Sequence, residues 1–126
     1  MINLLLDTNV FLWYFWGSEK TNSIRDLIES KESNVFISVV SWWEIAIKVR
    51  AGKLAVDLDK LRSYAEIHNF VELPITGKLM KTYLELPLLH KDPFDHMLLA
   101  QAISTPMRLI SGDSLLAEYT SLVMVI

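Results

Sequence analysis

The sequence predicts an α/β fold in which a parallel sheet is covered by helices on both faces. Three observations predict it. Short apolar runs at residues 2–6, 35–37, 70–73, 107–110 and 122–126 alternate with segments of helical spacing, and strands that alternate with helices form parallel sheets through right-handed crossovers. The runs are apolar nearly throughout instead of every second residue, the mark of strands buried on both faces. The chain is 52% hydrophobic and 21% charged, too apolar for a disordered polymer.

The elements follow in order. Ile2 to Leu6 is a buried strand that ends at Asp7. Val10 to Trp16 is a short aromatic helix, stopped by Gly17-Ser18. Residues 21–31 place Ile24, Leu27 and Ile28 on one helical face. Val35-Phe36-Ile37 is the second strand. Ser41-Trp42-Trp43-Glu44 opens a helix that runs to Ala51, with Gly52 as its natural stop. Residues 57–69 form an amphipathic helix, with Leu58, Leu61, Ala65 and Ile67 or His68 inward. Phe70 to Leu73 is the third strand, closed by Pro74. Residues 75–86 form a helix ended by Pro87. Asp92 caps the next helix and Pro93 suits its first position, with Met97, Leu98 and Ala102 inward. Met107 to Ile110 is the fourth strand, Gly112-Asp113-Ser114 turns into a short helix, and residues 122–126 are the last strand.

With 126 residues, the expectation is one domain spanning 1–126, large enough to bury a core without staples. There is no cysteine, which excludes disulfides and thiolate metal sites and fits a reducing cytoplasm. The apolar start lacks a basic segment and a small-residue cleavage site, and Asp7 interrupts it, so it does not read as a signal peptide. No run reaches the ~18 uncharged apolar residues of a membrane helix. Mean hydropathy is +0.30; a doubly covered sheet and an apolar surface that meets a partner both raise it. The expected location is the cytoplasm. Formal net charge is −3, without the basic footprint of most nucleic-acid binders. A carboxylate metal site is the exception, because bound cations cancel its charge.

Ligands of open α/β sheets bind beyond the carboxyl ends of the strands. Asp7 stands after the first strand, Glu44 one turn beyond the second and Asp113 after the fourth, while Asp95 lies on the first turn of the helix before the fourth strand. If the crossovers run as expected, the four share one cleft. Four carboxylates so gathered repel one another, and hard cations such as Mg2+ or Mn2+ relieve the repulsion while leaving positions open for phosphate. Each acid also has a plainer reading as a helix cap: Asp7 and Asp113 at the start of their helices, Glu44 in a capping box with Ser41, and Asp95 opposite Asp92. Capping and metal binding can coexist.

Four segments then resemble one family. Leu4-Leu5-Leu6-Asp7-Thr8-Asn9-Val10 is similar to the opening of the PIN domain. Ser38-Val39-Val40-Ser41-Trp42-Trp43-Glu44-Ile45 is similar to its second acidic motif, residues 90–102 (His-Lys-Asp-Pro-Phe-Asp-His-Met-Leu-Leu-Ala-Gln-Ala) to its third, and Leu109-Ile110-Ser111-Gly112-Asp113 to its fourth. The motifs stand in family order along almost the whole chain. They resemble the PIN-domain ribonucleases, and in particular the toxin half of VapC-type toxin–antitoxin pairs.

That resemblance implies a three-layer α/β/α domain with sheet order 3-2-1-4-5. It implies endonucleolytic cleavage of RNA that depends on Mg2+ or Mn2+, a cognate antitoxin and a homodimer. Asp7, Glu44, Asp95 and Asp113 carry over as catalytic metal ligands. Asn9 and Ser111 carry over as groups that orient ligands or substrate, and Asp92, Lys91 and His96, within the third motif, are candidates for the same supporting or substrate-contacting roles. His96 departs from the family, where Arg is frequent; His is shorter and titrates, which alters substrate contacts at that position. Hydrolysis by an activated water, leaving a 5′-phosphate and a 3′-hydroxyl, needs no side-chain nucleophile, and no serine has triad partners.

Other features carry two readings each. Lys48, Arg50 and Lys53 are either a solvated helix end or a phosphate groove, and Lys91 either a loop cation or a phosphate contact. Phe11, Trp13, Tyr14, Phe15 and Trp16 cannot all enter one core, nor can both Trp42 and Trp43. Some of them face a homodimer partner or the antitoxin, or else stack on bases. His68, His90 and His96 lack a metal-ligand spacing; His90 and His96 flank the site, where loop or cap roles are expected ahead of metal ligation because hard cations prefer oxygen. Two further function classes stay open. One is a PIN-like fold kept only for docking. The other is a different Mg2+-dependent phosphohydrolase, though Asp7-Thr8-Asn9 lacks a phosphatase's second Asp and no Gly-rich phosphate loop is present.

Overall fold

The computed structural model describes all residues, Met1–Ile126. Five strands form one parallel sheet in the order β3-β2-β1-β4-β5. They are β1 (Ile2–Leu6), β2 (Ser33–Ser38), β3 (Val71–Leu73), β4 (Arg108–Ser111) and β5 (Val123–Val125). The helices are α1 (Thr8–Phe15), α2 (Arg25–Glu29), α3 (Val39–Arg50), α4 (Leu58–Ile67), α5 (Leu79–Glu85) and α6 (Pro93–Ser104). Two 3-10 turns, Glu19–Ile24 and Ser114–Glu118, complete the order.

The period-two pleat of β1 explains the two covered faces. Leu4 and Leu6 point to one side, where they meet Val35, Ile37 and Ile110 beneath Phe11, Ile28, Ile45 and Leu61 of α1, α2, α3 and α4. Leu5 points to the other side and packs with Leu109 beneath Leu98, Leu99 and Ala102 of α6. A strand in the middle of such a sandwich has no polar face, which is why its sequence is a plain apolar run.

Several element boundaries differ from expectation, each for a local reason. α1 starts at Thr8, two residues early, because Asp7 Oδ1 accepts from the Val10 amide at 2.8 Å and caps it directly off the strand. The helix expected over 21–31 is a 3-10 turn followed by the short α2. Ser18 Oγ accepts from the Lys20 amide and Thr21 Oγ1 donates to the Ser18 carbonyl, and such side-chain bonds compete with α-helical ones. α3 starts at Val39, capped by Ser38 Oγ accepting from Val40 N. Ser41 therefore lies inside the helix, bonded to Thr8 Oγ1. The capping box of Ser41 with Glu44 does not form, and Glu44 stands mid-helix without a capping role. α5 starts late, at Leu79, because Thr76 and Gly77 form a turn with Leu79 and Met80. Ile67 and His68 do not point inward: Ile67 is exposed, and His68 stacks on Tyr64.

Helix ends follow local chemistry. Gly52, after α3, adopts φ +72°, and Asn69, after α4, φ +58°. Lys53 N then reaches the Lys48 carbonyl and Phe70 N the Ala65 carbonyl, closing both helices with left-handed caps. No helix is long and apolar enough to cross a membrane.

One buried polar strut joins three elements. Ser38 Oγ donates to Gln101 Oε1 at 2.6 Å, and Gln101 Nε2 donates to the Pro74 carbonyl at 3.1 Å. It ties α6 to the ends of β2 and β3, and both side chains are almost wholly buried. Removing one partner of a buried pair costs more than the bond itself contributes. Gln101→Leu is expected to lower unfolding free energy by about 1–3 kcal/mol, read from urea denaturation; an unchanged midpoint would refute the strut.

Candidate active site

β1 and β4 are neighbours in the sheet although far apart in sequence. The chain steps from β1 outward to β2 and β3 on one side, and to β4 and β5 on the other. β1 is thus the point where the winding reverses, and such a point opens a crevice at the carboxyl ends of the strands. Asp7 and Asp113 leave those ends side by side, and Asp7 N bonds to the Ile110 carbonyl at 3.0 Å. Helices that return antiparallel to the strands begin at the same edge, so α3 brings Glu44 and α6 brings Asp95 to it.

The four acids line one cleft of about 410 Å3, with Thr8, Asn9, Trp13, Lys48, His90, Asp92, Gly112 and Ser114. Asp7 and Glu44 are buried, and Asp95 and Asp113 half-buried. Against five carboxylates the cleft holds one lysine, Lys48, whose Nζ sits 2.9 Å from Glu44 Oε2. His90 Nε2 lies 2.9 Å from Asp95 Oδ2 and 3.8 Å from Asp113 Oδ2.

This crowding shows in proton affinity. Burial pushes the Asp7 carboxyl up to about 6; the Ser111 hydroxyl and Val10 amide oppose the shift, and Asp95 and Glu44 add to it. Burial also raises Asp95, an effect that His90 opposes and Asp92 reinforces. Capping and clustering do coexist here. Asp7 caps α1, and Asp113 Oδ1 accepts from Leu115 N at 2.9 Å, yet both remain in the cleft.

The remaining sequence-derived candidates divide. Asn9 is exposed and lines the cleft. Ser111 is buried and its Oγ accepts from Asp113 N at 3.0 Å, holding that acid's turn. Asp92 lines the cleft while capping α6 through Phe94 N. Lys91 is exposed and outside the lining. His96 is buried and outside the cleft lining, its Nε2 3.1 Å from Tyr119 Oη. Two further residues belong to the cleft: Lys48, which carried both a solvated-face and a phosphate-contact reading, and His90, expected beside the site in a loop or cap role. Lys48 is one turn of α3 beyond Glu44, a spacing that pairs side chains and was legible. His90 had no such signal, because a loop residue's position depends on the fold.

Trp13 is the one apolar wall. A Cβ placed on Gly112 would meet its indole at 2.5 Å, so this glycine admits the ring beside the acid turn. Of the other aromatics, Phe11 and Tyr14 are core, whereas Trp16 and Trp43 are about half exposed or more, at 52% and 60%.

An α/β sheet with a cluster of acids at its topological switch point has its ligand-binding crevice lined by hard oxygen donors. The sequence profile of the PIN domain matches residues 4–122. The chain belongs to the PIN-domain family, whose members are generally nucleases and typically use divalent metals. No curated protein matches it in sequence. Solved structures share its fold over nearly the full length of both chains. VapBC2 from Rickettsia felis, bound to a promoter DNA fragment, is similar at TM-score 0.74 and 15% identity, covering 99% of this chain and 98% of that one. A toxin–antitoxin complex from Klebsiella pneumoniae gives 0.69 and 18%, covering 97% and 96%. FitAcB from Neisseria gonorrhoeae gives 0.68 and 16%, covering 98% and 96%. The donor chemistry fits a divalent cation: hard carboxylate oxygens, several of them without a lysine or arginine partner, around a polar cleft.

Two predictions follow from the cleft's packing and charge. Gly112→Ala is expected to displace Trp13 and cost about 1–3 kcal/mol, as overpacking does, measured by thermal unfolding. Asp7 binds its proton more tightly folded than unfolded. In metal-free buffer its contribution is therefore fully present below about pH 4 and lost as pH rises through about 6, a total of about 3 kcal/mol. Asp7→Asn keeps a cap and is expected to flatten this dependence and raise stability at pH 7. A variant that follows the same pH profile as the parent would show that Asp7 is not strained.

Proposed function

We propose that this chain is an endoribonuclease dependent on Mg2+ or Mn2+, and the toxin of a VapC-type toxin–antitoxin pair in the cytoplasm. The observation that carries the reading is the convergence of Asp7, Glu44, Asp95 and Asp113, from four separate elements, on one polar cleft. Asp7, Glu44, Asp95 and Asp113 would hold the cation. Bound there, the cation supplies charge neutralisation at the phosphate and acidification of a water for in-line attack.

The chain's own residues do the rest. Ser111 holds the Asp113 turn, and the Asp7 cap holds its carboxylate at the strand end. Asn9, at the open side of the cleft, is placed to donate to a phosphate oxygen. Lys48 lies beside Glu44 and is the cleft's one fixed cation for the nucleic-acid backbone. Lys91, on the exposed surface nearby, extends that contact. The product ends are a 5′-phosphate and a 3′-hydroxyl.

The similar structure from Klebsiella pneumoniae is a toxin–antitoxin complex, which supports an antitoxin partner. The exposed Trp16, Trp43 and Leu88 offer apolar surface for it and for a homodimer. A fold kept only for docking would not need to bury Asp7 among other acids at a cost in stability. A phosphoacceptor role for Asp7 is disfavoured because one carboxylate oxygen is held by the Val10 amide.

Purified protein is expected to cleave RNA with Mg2+ or Mn2+, to stop with EDTA, and to lose cleavage on Asp7→Asn while remaining folded. Expression is expected to arrest growth, with rescue by a co-encoded small protein. Full activity of the Asp7→Asn variant, or none by the parent with either metal, overturns the reading.

A further inference from the structure

We propose that His90 binds the divalent cation directly through Nε2, between Asp95 and Asp113, so that the centre is a mixed nitrogen–oxygen site that favours transition ions over Mg2+. The inference rests on the cleft being the metal centre and names a ligand that an all-carboxylate set lacks.

The distances permit it. Donor atoms of His90, Asp95 and Asp113 all lie within 4.8 Å of one another, and the two from Nε2 are 2.9 and 3.8 Å. Donors about 2.1 Å from one ion stand roughly 3.0 Å apart when adjacent in an octahedron and roughly 3.4 Å apart in a tetrahedron. The observed separations bracket both, so a shared ion requires only small side-chain shifts.

The imidazole is also held in place. Leu89 N, the neighbouring residue, donates to Tyr119 Oη at 3.2 Å, and the same Oη meets His96 Nε2. The His96 ring stands edge-on to His90 at 6.1 Å and 89°. Tyr119 thus anchors the loop beside His90, and the His96 ring stands against its imidazole. This gives the buried His96 a use although it does not reach the cleft. Position argues the same way: Lys48 sits against Glu44, and His90 is the one nitrogen-bearing side chain set against both Asp95 and Asp113.

The competing reading is a hydrogen bond alone, with Nε2–H donating to Asp95. Coordination instead requires the tautomer protonated on Nδ1, leaving the Nε2 lone pair for the ion. Imidazole favours transition metals, whereas Mg2+ favours oxygen.

The test uses the full chain loaded with Mn2+. Pulsed EPR is expected to show 14N coupling from a bound imidazole. His90→Gln keeps an N–H donor beside Asp95 but removes the imidazole. It is expected to abolish that coupling and weaken Mn2+ binding about tenfold, by the scale of lost metal-site groups, with a smaller change for Mg2+ in calorimetry. Bound Mn2+ without 14N coupling, coupling that survives in the variant, or an unchanged Mn2+-to-Mg2+ preference each overturns the role of His90 and leaves the nuclease reading standing. Failure of the parent to bind Mn2+ overturns both. The parent spectrum decides even if the variant does not fold.

Discussion

Mutual repulsion among the carboxylates at one rim of the sheet is the constraint around which this molecule is organised. Left to themselves, Asp7, Glu44, Asp95 and Asp113 would separate into water. The sheet and its helices hold them at a shared cleft, where burial first, and the charges of Asp95 and Glu44 to a smaller extent, push the Asp7 carboxyl up to about 6. A protein interior tolerates such a cluster only when something opposes the charge. Lys48 opposes part of it, and a divalent cation is the natural complement for the rest.

The scaffold must therefore be rigid where the acids leave it. Alternate side chains of β1 serve two cores on opposite faces, which fixes the strand end carrying Asp7. Buried polar bonds then set the helices: Thr8 to Ser41 joins α1 to α3, and Ser38 to Gln101 joins the start of α3 to α6. These contacts orient the two helices that bring Glu44 and Asp95. A shift of α3 by one residue would turn Glu44 off the cleft, because adjacent helix positions differ in direction. The energy invested in the struts is thus spent on placement of charge.

Much of the site was legible because the signals are local. Apolar runs mark strands, an acid after such a run marks a strand end, and Asp92-Pro93 marks a helix start. The misread portions share a different cause. Ser38, and not Ser41, caps α3 because its hydroxyl also finds Gln101, 63 residues away. His96 stood in a motif beside Asp95, yet about 3.6 residues per helical turn send adjacent positions to different sides, and Tyr119 meets it inside. His90 looked like an ordinary loop residue until the loop folded back onto two acids.

The amino-acid order alone determined the element types, the layered α/β class and the identity of the acids, since period, capping and strand-end position are written in neighbouring residues. Tertiary structure decided which of those residues face one another. The sheet order joins β1 to β4 across about a hundred residues of chain, and only that junction turns acids on separate elements into a single anionic cleft. It also sorted the histidines, drawing His90 in and burying His96, because distances between loops and helices depend on packing and not on spacing along the chain.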